Sequence, residues 1–241
     1  MVSIDPDRVS ALLREASAQL ILPRYKKLTD DEVRKKGGAN NLVTIADEET
    51  ERFLAGVLPD LAPGSKVIGE EGVAADDSLL DYLAGEDWVW IVDPVDGTAN
   101  FVHGRDQFCC MLALVHRGET VFGWVHDPLS GNTLLAEAGS GAHMADPSGH
   151  DHVRRVPAPS SSALNSMVAA LYNKELAALK GKFARIQWTG CAGHDYWSAV
   201  EGRVHVVAFR NLKPWDHAPG VLIHAEAGGY GRLLSGERYN P

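Results

Sequence analysis

The stretch that decides the fold is Trp90-Ile-Val-Asp-Pro-Val-Asp-Gly-Thr-Ala-Asn-Phe101. Residues 88–92 are too few for a typical helix and are rich in β-branched and aromatic side chains, so they predict a buried strand. Because Pro94 lacks the N–H group that a strand ladder needs, we expect the strand to end where the acids begin. The pattern therefore predicts that Asp93 and Asp96 lie close together on a tight turn at the end of a strand.

These two carboxylates and the residues after them have the chemistry of a phosphate site that uses a metal. Close carboxylates repel each other unless a cation lies between them. Gly97 lets the backbone approach a ligand closely, and Thr98 adds a hydroxyl beside free N–H groups. The carboxylates can bind a hard cation, and the N–H and hydroxyl donors that follow them directly can bind an anion. This order of groups predicts a metal-dependent phosphate site. Asp-Pro and Asp-Gly are also ordinary turn dipeptides, but the complete string with its strand favours the site.

Composition and charge limit the class of protein. The 241 residues suffice for one large domain or two small ones, and 45% hydrophobic and 23% charged residues are typical of a soluble globular protein. A net charge of −9 argues against nucleic-acid binding by phosphate neutralisation. No stretch approaches the roughly 20 apolar residues that span a bilayer. A negatively charged protein repels an anionic substrate unless a bound cation reverses the electrostatic field at the site. The net negative charge therefore favours a bound metal.

The cysteines indicate a reducing compartment. Cys109 and Cys110 are adjacent, and neighbouring side chains on a strand point to opposite faces, so they are poor disulfide partners. No pair among these two and Cys191 has the sequence spacing of a zinc site. The N-terminus carries acids and no apolar signal-peptide core. We therefore expect a cytoplasmic protein.

The spacing of hydrophobic residues and the positions of turn residues predict the secondary structure and a division of the chain into two domains. Helical spacing predicts helices over residues 5–25, 44–58, 195–201 and 216–227, and a polar loop over 26–41. Short apolar runs predict strands over 65–68, 166–171, 184–187 and 204–208, and an antiparallel meander over 109–115, 121–125 and 133–136. Polar residues 146–155 and the proline- and serine-rich residues 157–162 are the best candidate boundary. We expect an α+β domain over 1–150 that carries most metal ligands, and an α/β domain over 151–241 that supplies Asp216 and substrate contacts.

Three further segments, like the Asp93 turn, place acidic residues at the end of a strand or at the start of a helix. Gly69-Glu70-Glu71 places acids at the end of a short strand, and Asn41-Leu-Val-Thr-Ile-Ala-Asp47 places an acid at the start of a helix. The third, residues 215–229, opens a helix with Trp215-Asp216 and closes it with Glu-Ala-Gly-Gly. Each has a structural alternative, since Asp216 suits a helix N-cap and the paired glutamates suit a solvated loop.

Taken together, the four segments resemble the inositol monophosphatase family of magnesium-dependent, lithium-sensitive phosphatases. Their order and spacing match the family from residue 36 to residue 229, nearly the whole chain. The resemblance implies a layered αβαβα sugar-phosphatase-like fold that combines α+β and α/β parts. It also implies two to three Mg²⁺ ions and a homodimer.

The resemblance assigns metal ligands residue by residue. Asp93 matches the acid that bridges two metals, and Glu70 and the backbone carbonyl of Val95 match the other ligands of the first. Asp96 and Asp216 match the remaining ligands of the second. Lys36 lies on a segment that resembles the family's mobile loop, near a third and weaker metal site. All these ligands are oxygens, which suits Mg²⁺ and disfavours zinc or copper.

The resemblance also assigns catalytic and substrate contacts. The predicted catalytic residues are Glu70, Thr98 and Asp47, which together activate a water molecule; Asp47 hydrogen-bonds the Thr98 hydroxyl. The predicted substrate contacts are Asp96, Gly97, Thr98, the segment Gly190-Cys191-Ala192, and Phe209. Phe209 stands where the inositol phosphatases carry a glutamate that accepts hydrogen bonds from substrate hydroxyls. Asn41 stands where many members carry aspartate. His194, His217 and His224 are interpreted as satisfied helix residues, and His217, next to Asp216, is the first candidate for an exception.

The sequence thus predicts a Mg²⁺-dependent phosphomonoesterase that hydrolyses a small polyol or sugar phosphate. Histidinol phosphate or a 3′-phosphonucleotide is an alternative substrate within the same family. A different class is a protein that binds the transcription machinery, since some relatives do so. The expected partner is a small phosphorylated metabolite, with no direct nucleic acid and no membrane.

Overall fold

The centre of the molecule is a seven-stranded mixed sheet with helices on both faces. The computed structural model describes residues 4–36, 42–85, 87–149, 151–171, 179 and 181–241. The helices are α1 (Pro6–Ala16), α2 (Ile45–Leu61), α3 (Glu70–Ala75), α4 (Thr98–Val102), α5 (Ala192–Val200) and α6 (Pro214–Glu226). The strands are β1 (Val33–Lys35), β2 (Leu42–Thr44), β3 (Lys66–Gly69), β4 (Trp88–Asp96), β5 (Cys109–His116), β6 (Glu119–His126), β7 (Thr133–Glu137), β8 (Gly141–Ala145), β9 (Asp151–Arg154), β10 (Val168–Leu171), β11 (Arg185–Gln187) and β12 (Val206–Ala208).

The large sheet has the strand order β3-β4-β5-β6-β7-β8-β9. β3 runs parallel to β4, and every later neighbour pair is antiparallel, which confirms the predicted meander. The small sheet has the order β11-β10-β12, and both of its pairs are parallel. β1 and β2 form a separate antiparallel pair.

Side-chain alternation along β5 gives the sheet two buried faces. Cys110 and Leu112 pack in one cluster with Leu13 of α1 and Leu54 of α2. Residues 109 and 111 point to the opposite face, where Tyr196 of α5 packs with residues of α6. α5 also packs against β12, so the described residues form helix, sheet, helix and sheet layers. The predicted layered fold is confirmed.

The apolar meander is covered within one chain. Residues Cys109 to Val115 are at most 1% exposed, with α1 and α2 over one face and α5 and α6 over the other. Among the described residues, helices of the same chain therefore already cover these strands. The homodimer itself stays a prediction.

Two local predictions were wrong. β4 does not end before the acids but continues to Asp96, and its register against β5 shifts between Asp93 and Asp96. Pro94 is tolerated because it lies at this bulge, where no regular ladder bond is required. In the predicted 26–41 loop, Val33–Lys35 forms β1 and pairs with β2. Residues 37–41, which include Asn41, lie outside the described residues.

The predicted boundary at residue 150 falls between two paired strands, because β9 is hydrogen-bonded to β8. The division into 1–150 and 151–241 stays a prediction. Among the described residues, no helix combines the length and the hydropathy needed to cross a bilayer.

Candidate active site

Parallel pairing of β3 with β4 brings the first two acids together. Gly69, the last residue of β3, is paired with Val92, the residue before Asp93. Glu70 begins α3 directly after this pair, and Asp93 continues β4. Because the two strands run in the same direction, both carboxylates lie at one edge of the sheet. The pairing register is thus the reason that two acids 23 positions apart in sequence become neighbours.

The turn after β4 has a backbone that only glycine adopts easily. Gly97 has φ +86°, and a Cβ there would lie 2.8 Å from the carbonyl oxygen of Gln107. The turn leads directly into α4, whose first residue is Thr98. The backbone N–H groups of Gly97 and Thr98 therefore belong to a turn that follows Asp96 without a gap.

A buried aspartate holds the Thr98 hydroxyl. Thr98 Oγ1 lies 3.2 Å from Asp47 Oδ1 and 3.0 Å from the carbonyl oxygen of Val95. Asp47 Oδ2 accepts hydrogen bonds from the backbone N–H (2.8 Å) and the hydroxyl of Thr44, the N-cap of α2. Burial raises the pKa of Asp47 to about 7. The structure brings Asp47 and Thr98 together as predicted, and their catalytic roles stay predictions.

Four carboxylates converge at this edge of the sheet. Burial raises the pKa of Asp93 well above its usual range, and the charges of Glu70, Asp96 and Asp216 raise it further. Burial, followed by the charges of Asp96 and Glu70, raises the pKa of Asp216 to about 8, although a hydrogen bond with Asp93 opposes the shift. Such shifts mean that the folded protein does not fully compensate the negative charge of this cluster.

Lysine supplies part of the missing positive charge. Lys36 Nζ lies 3.1 Å from Glu70 Oε1 and also forms an ion pair with Glu71. Burial acts to lower the pKa of Lys36, but the two carboxylates outweigh it and the net shift is upward. The Lys213 charge acts more weakly on Asp216. Two ammonium groups leave an excess of carboxylates, and an all-oxygen donor set with uncompensated charge fits hard divalent cations.

The predicted substrate segment at residue 190 contacts Asp96. Cys191 Sγ lies 3.0 Å from Asp96 Oδ2, and the backbone N–H of Gly193 donates to the same oxygen at 2.6 Å. Gly190 has φ +72° and lies against the Asn100 side chain. Ala192 is the first residue of α5. The segment is therefore next to the predicted second metal position, where it directs Asp96.

Phe209 lies in an aromatic cluster with Tyr196 and His217. Its ring centroid is 5.0 Å from that of Tyr196 and 4.6 Å from that of His217. His217 is 2% exposed, its Nδ1 lies 3.1 Å from the Tyr196 hydroxyl, and burial lowers its pKa to about 4. This cluster adjoins Asp216, the residue before His217. His217 is a buried, hydrogen-bonded helix residue, and the absence of a catalytic role for it stays a prediction.

Sequence reasoning missed two residues that hold the site together. Glu51 of α2 accepts hydrogen bonds from the backbone N–H groups of Glu71 (2.8 Å) and Gly72 (2.7 Å), and so fixes the start of the helix that carries Glu70. Asn100 donates to the carbonyl oxygens of Gln107 (2.7 Å) and Thr189 (2.8 Å), and so joins the α4 turn to the segment before α5. Neither role follows from a short-range pattern, because Glu51 binds residues 20 and 21 positions away and Asn100 joins Gln107 to Thr189, which is 89 positions from it.

Comparison with known proteins agrees with this geometry. A sequence profile of the Inositol monophosphatase family matches residues 7–240. A Thermotoga maritima fructose-1,6-bisphosphatase/inositol-1-monophosphatase is 32% identical over 87% of this chain and 78% of its own length. A putative Nus factor SuhB from Neisseria meningitidis is 31% identical over 82% of this chain and 76% of its own.

A solved structure supports the same relationship. A Thermotoga maritima IMPase superposes with a TM-score of 0.82 at 30% identity, covering 97% of this chain and 87% of that one. The profile match, the curated relatives and the carboxylate-rich edge of the sheet agree with one another. The chain belongs to the inositol monophosphatase family and is a phosphatase, a phosphoric monoester hydrolase.

Proposed function

We propose that this phosphatase depends on Mg²⁺ and hydrolyses a small polyol or sugar phosphate. The observation that carries the proposal is the cluster of four carboxylates beside the Gly97–Thr98 turn, in which burial and the neighbouring negative charges raise the pKa of Asp93 and of Asp216. The first ion would be held by Glu70, Asp93 and the carbonyl of Val95, and the second by Asp93, Asp96 and Asp216. When bound, Mg²⁺ would lower the pKa of the attacking water and stabilise the negative charge on the leaving oxygen.

The protein's own groups position the reactants. The backbone N–H groups of Gly97 and Thr98 point at the phosphoryl oxygens and stabilise their charge in the transition state. Glu70 accepts a proton from the attacking water. The Thr98 hydroxyl orients that water, and Asp47 orients the hydroxyl through the 3.2 Å hydrogen bond. The proposed reaction needs no covalent phosphoenzyme.

Thr98→Ala and Asp47→Asn should each lower kcat by about tenfold to a hundredfold. The first removes the hydroxyl that orients the water, and the second weakens the hydrogen bond that orients this hydroxyl. Their effects should not multiply in the double variant, since the two residues act through the same contact. Steady-state kinetics of both single variants and the double variant measure this. Thr120→Ala, at the end of β6 remote from the carboxylates, is the matched control and should retain full activity. Multiplicative effects would contradict the relay.

The substrate is expected to differ from that of a dedicated inositol phosphatase. Phe209 cannot accept hydrogen bonds from substrate hydroxyls, and its ring is engaged with Tyr196 and His217. A missing hydrogen-bond partner is worth roughly 1–3 kcal/mol. We therefore expect another phosphate ester to match or exceed myo-inositol 1-phosphate in kcat/KM.

The measurement is kcat/KM over myo-inositol 1-phosphate, histidinol phosphate, a 3′-phosphonucleotide, fructose 1,6-bisphosphate and glycerol 2-phosphate. A hundredfold preference for inositol phosphate would contradict the role given to Phe209. Failure to release phosphate from any of them in the presence of Mg²⁺ would contradict the proposed function. It would favour the second candidate, a partner of the transcription machinery, which the name of the Neisseria relative supports.

Three further properties belong to the proposal. Lithium inhibition and a homodimer are expected from the family resemblance. A cytoplasmic location is expected because all three cysteines are free and buried.

A further inference from the structure

Two thiols and a carboxylate meet behind the proposed magnesium site. Cys109 begins β5, Cys191 precedes α5, and Asp96 ends β4. The two Sγ atoms are 3.7 Å apart, and they lie 3.6 Å (Cys109) and 3.0 Å (Cys191) from Asp96 Oδ2. All three side chains are buried, with exposed fractions of 0%, 1% and 8% for Cys109, Cys191 and Asp96. The ligand atoms are thus close enough to share one ion.

The spacing of these atoms matches the edges of a zinc tetrahedron. Two sulfurs bound to zinc at about 2.3 Å lie roughly 3.8 Å apart, and a sulfur and a carboxylate oxygen lie roughly 3.5 Å apart. The Sγ–Sγ distance of 3.7 Å and the Cys109–Asp96 distance of 3.6 Å are close to these values. The Cys191–Asp96 distance of 3.0 Å is the short edge, and a small rotation of the Cys191 side chain lengthens it.

The donor types separate this cluster from the magnesium ligands. Mg²⁺ binds oxygen and has little affinity for sulfur, whereas zinc and cadmium prefer thiolates. Three protein ligands with one open position are a common zinc arrangement. The N–H of Gly193 donates to Asp96 Oδ2 at 2.6 Å and holds the carboxylate on the side of the thiols. A Cβ at residue 193 would lie 2.3 Å from Cys109 Sγ, so glycine is what lets α5 approach this close.

We propose that Cys109, Cys191 and Asp96 form a binding site for Zn²⁺ that shares Asp96 with the magnesium site and inhibits the enzyme. The binding of zinc would release the two thiol protons to solvent and join both sulfurs and one carboxylate oxygen to the ion. Asp96, at 8% the most exposed of the three, lies at the active-site edge, and we place the entry of the ion on its side. The inhibitory consequence rests on the proposed function, because it requires Asp96 to be a magnesium ligand; the zinc site itself does not.

Cadmium is the direct probe, because cadmium–thiolate bonds give an ultraviolet charge-transfer band. Reduced, metal-free protein should bind one equivalent of Cd²⁺ with this band, and Zn²⁺ should displace it. Cys109→Ser and Cys191→Ser should each lose most of the band. Cys110→Ser is the matched control, because Cys110 is equally buried on the same strand but packs on the opposite face with α1 and α2. It should retain both the band and full activity.

Inhibition is measured separately, by Zn²⁺ titration at saturating Mg²⁺ with each variant compared with its own uninhibited rate. The zinc concentration for half inhibition should rise at least tenfold in Cys191→Ser and stay unchanged in Cys110→Ser. Circular dichroism of both serine variants establishes that they are folded. A folded wild-type protein without the band, or a band that survives in both Cys109→Ser and Cys191→Ser, would overturn the site.

The two readouts keep this proposal apart from the proposed function. A normal cadmium band in a protein that hydrolyses no phosphate ester would support the zinc site and refute the phosphatase proposal. Equal zinc inhibition of wild type and Cys191→Ser, with a normal band in wild type, would overturn the inhibitory role.

Discussion

Asp93→Asn should lower kcat by about a thousandfold or more, several kcal/mol of transition-state stabilisation. Asp93 lies at the centre of the carboxylate cluster and is the residue proposed to bridge both ions. The amide keeps the size and shape of the side chain but removes the charge that binds the metals. Steady-state phosphate release, together with isothermal titration of Mg²⁺, measures the loss of activity and of metal affinity.

The control for this substitution is Asp87→Asn, an exposed aspartate immediately before β4, which should leave activity unchanged. Asp93→Asn should also raise the melting temperature of the metal-free protein, because it removes a buried charge that Glu70, Asp96 and Asp216 repel. Full activity of Asp93→Asn would refute the two-metal assignment.

Removal of divalent metal should abolish activity and leave a protein whose stability falls as the pH rises. Asp47 and Asp216 have folded-state pKa values of about 7 and about 8, above the ordinary value of 3.8. Between the ordinary pKa of 3.8 and the raised folded-state pKa of each group, the folded state holds more protons than the unfolded state. The free energy of unfolding therefore decreases as the pH rises through this interval. This contribution is fully present below about pH 4 and is lost by about pH 8.

The measurement is thermal or urea unfolding of EDTA-treated protein from pH 5 to pH 8, with and without excess Mg²⁺. Ligand linkage predicts about 2.7 kcal/mol of stabilisation at a metal concentration one hundred times the Kd. Asp216→Asn serves as the comparison, since it removes one titrating carboxyl and should flatten the pH dependence of the metal-free protein. A steeper loss of stability in that variant than in wild type would contradict the assignment.

The short-range patterns of the chain predicted the central strands, and the family resemblance predicted the layered fold and the roles of the candidate site residues. Alternating and continuous apolar runs predicted the β5–β7 meander, and acids at the ends of β3 and β4 predicted a metal edge. The meander is confirmed, because strand burial and turn chemistry depend on residues a few positions apart. The metal edge stays a prediction. The same locality explains the error at β4, where Pro94 was expected to stop the strand and instead lies at a bulge that its partner strand permits.

Contacts between distant segments were decided only by the tertiary structure. The sequence spacing of Cys109 and Cys191 gave no sign of a metal site, yet packing of α5 against β5 brings their sulfurs within 3.7 Å. Packing likewise placed Glu51 over the start of α3, and set Phe209 against Tyr196 and His217. The sequence by itself was enough to predict which acids would hold a metal, because those acids stand at the ends of recognisable elements. The tertiary structure decided what surrounds each acid, because that depends on which buried faces pack together across the whole chain.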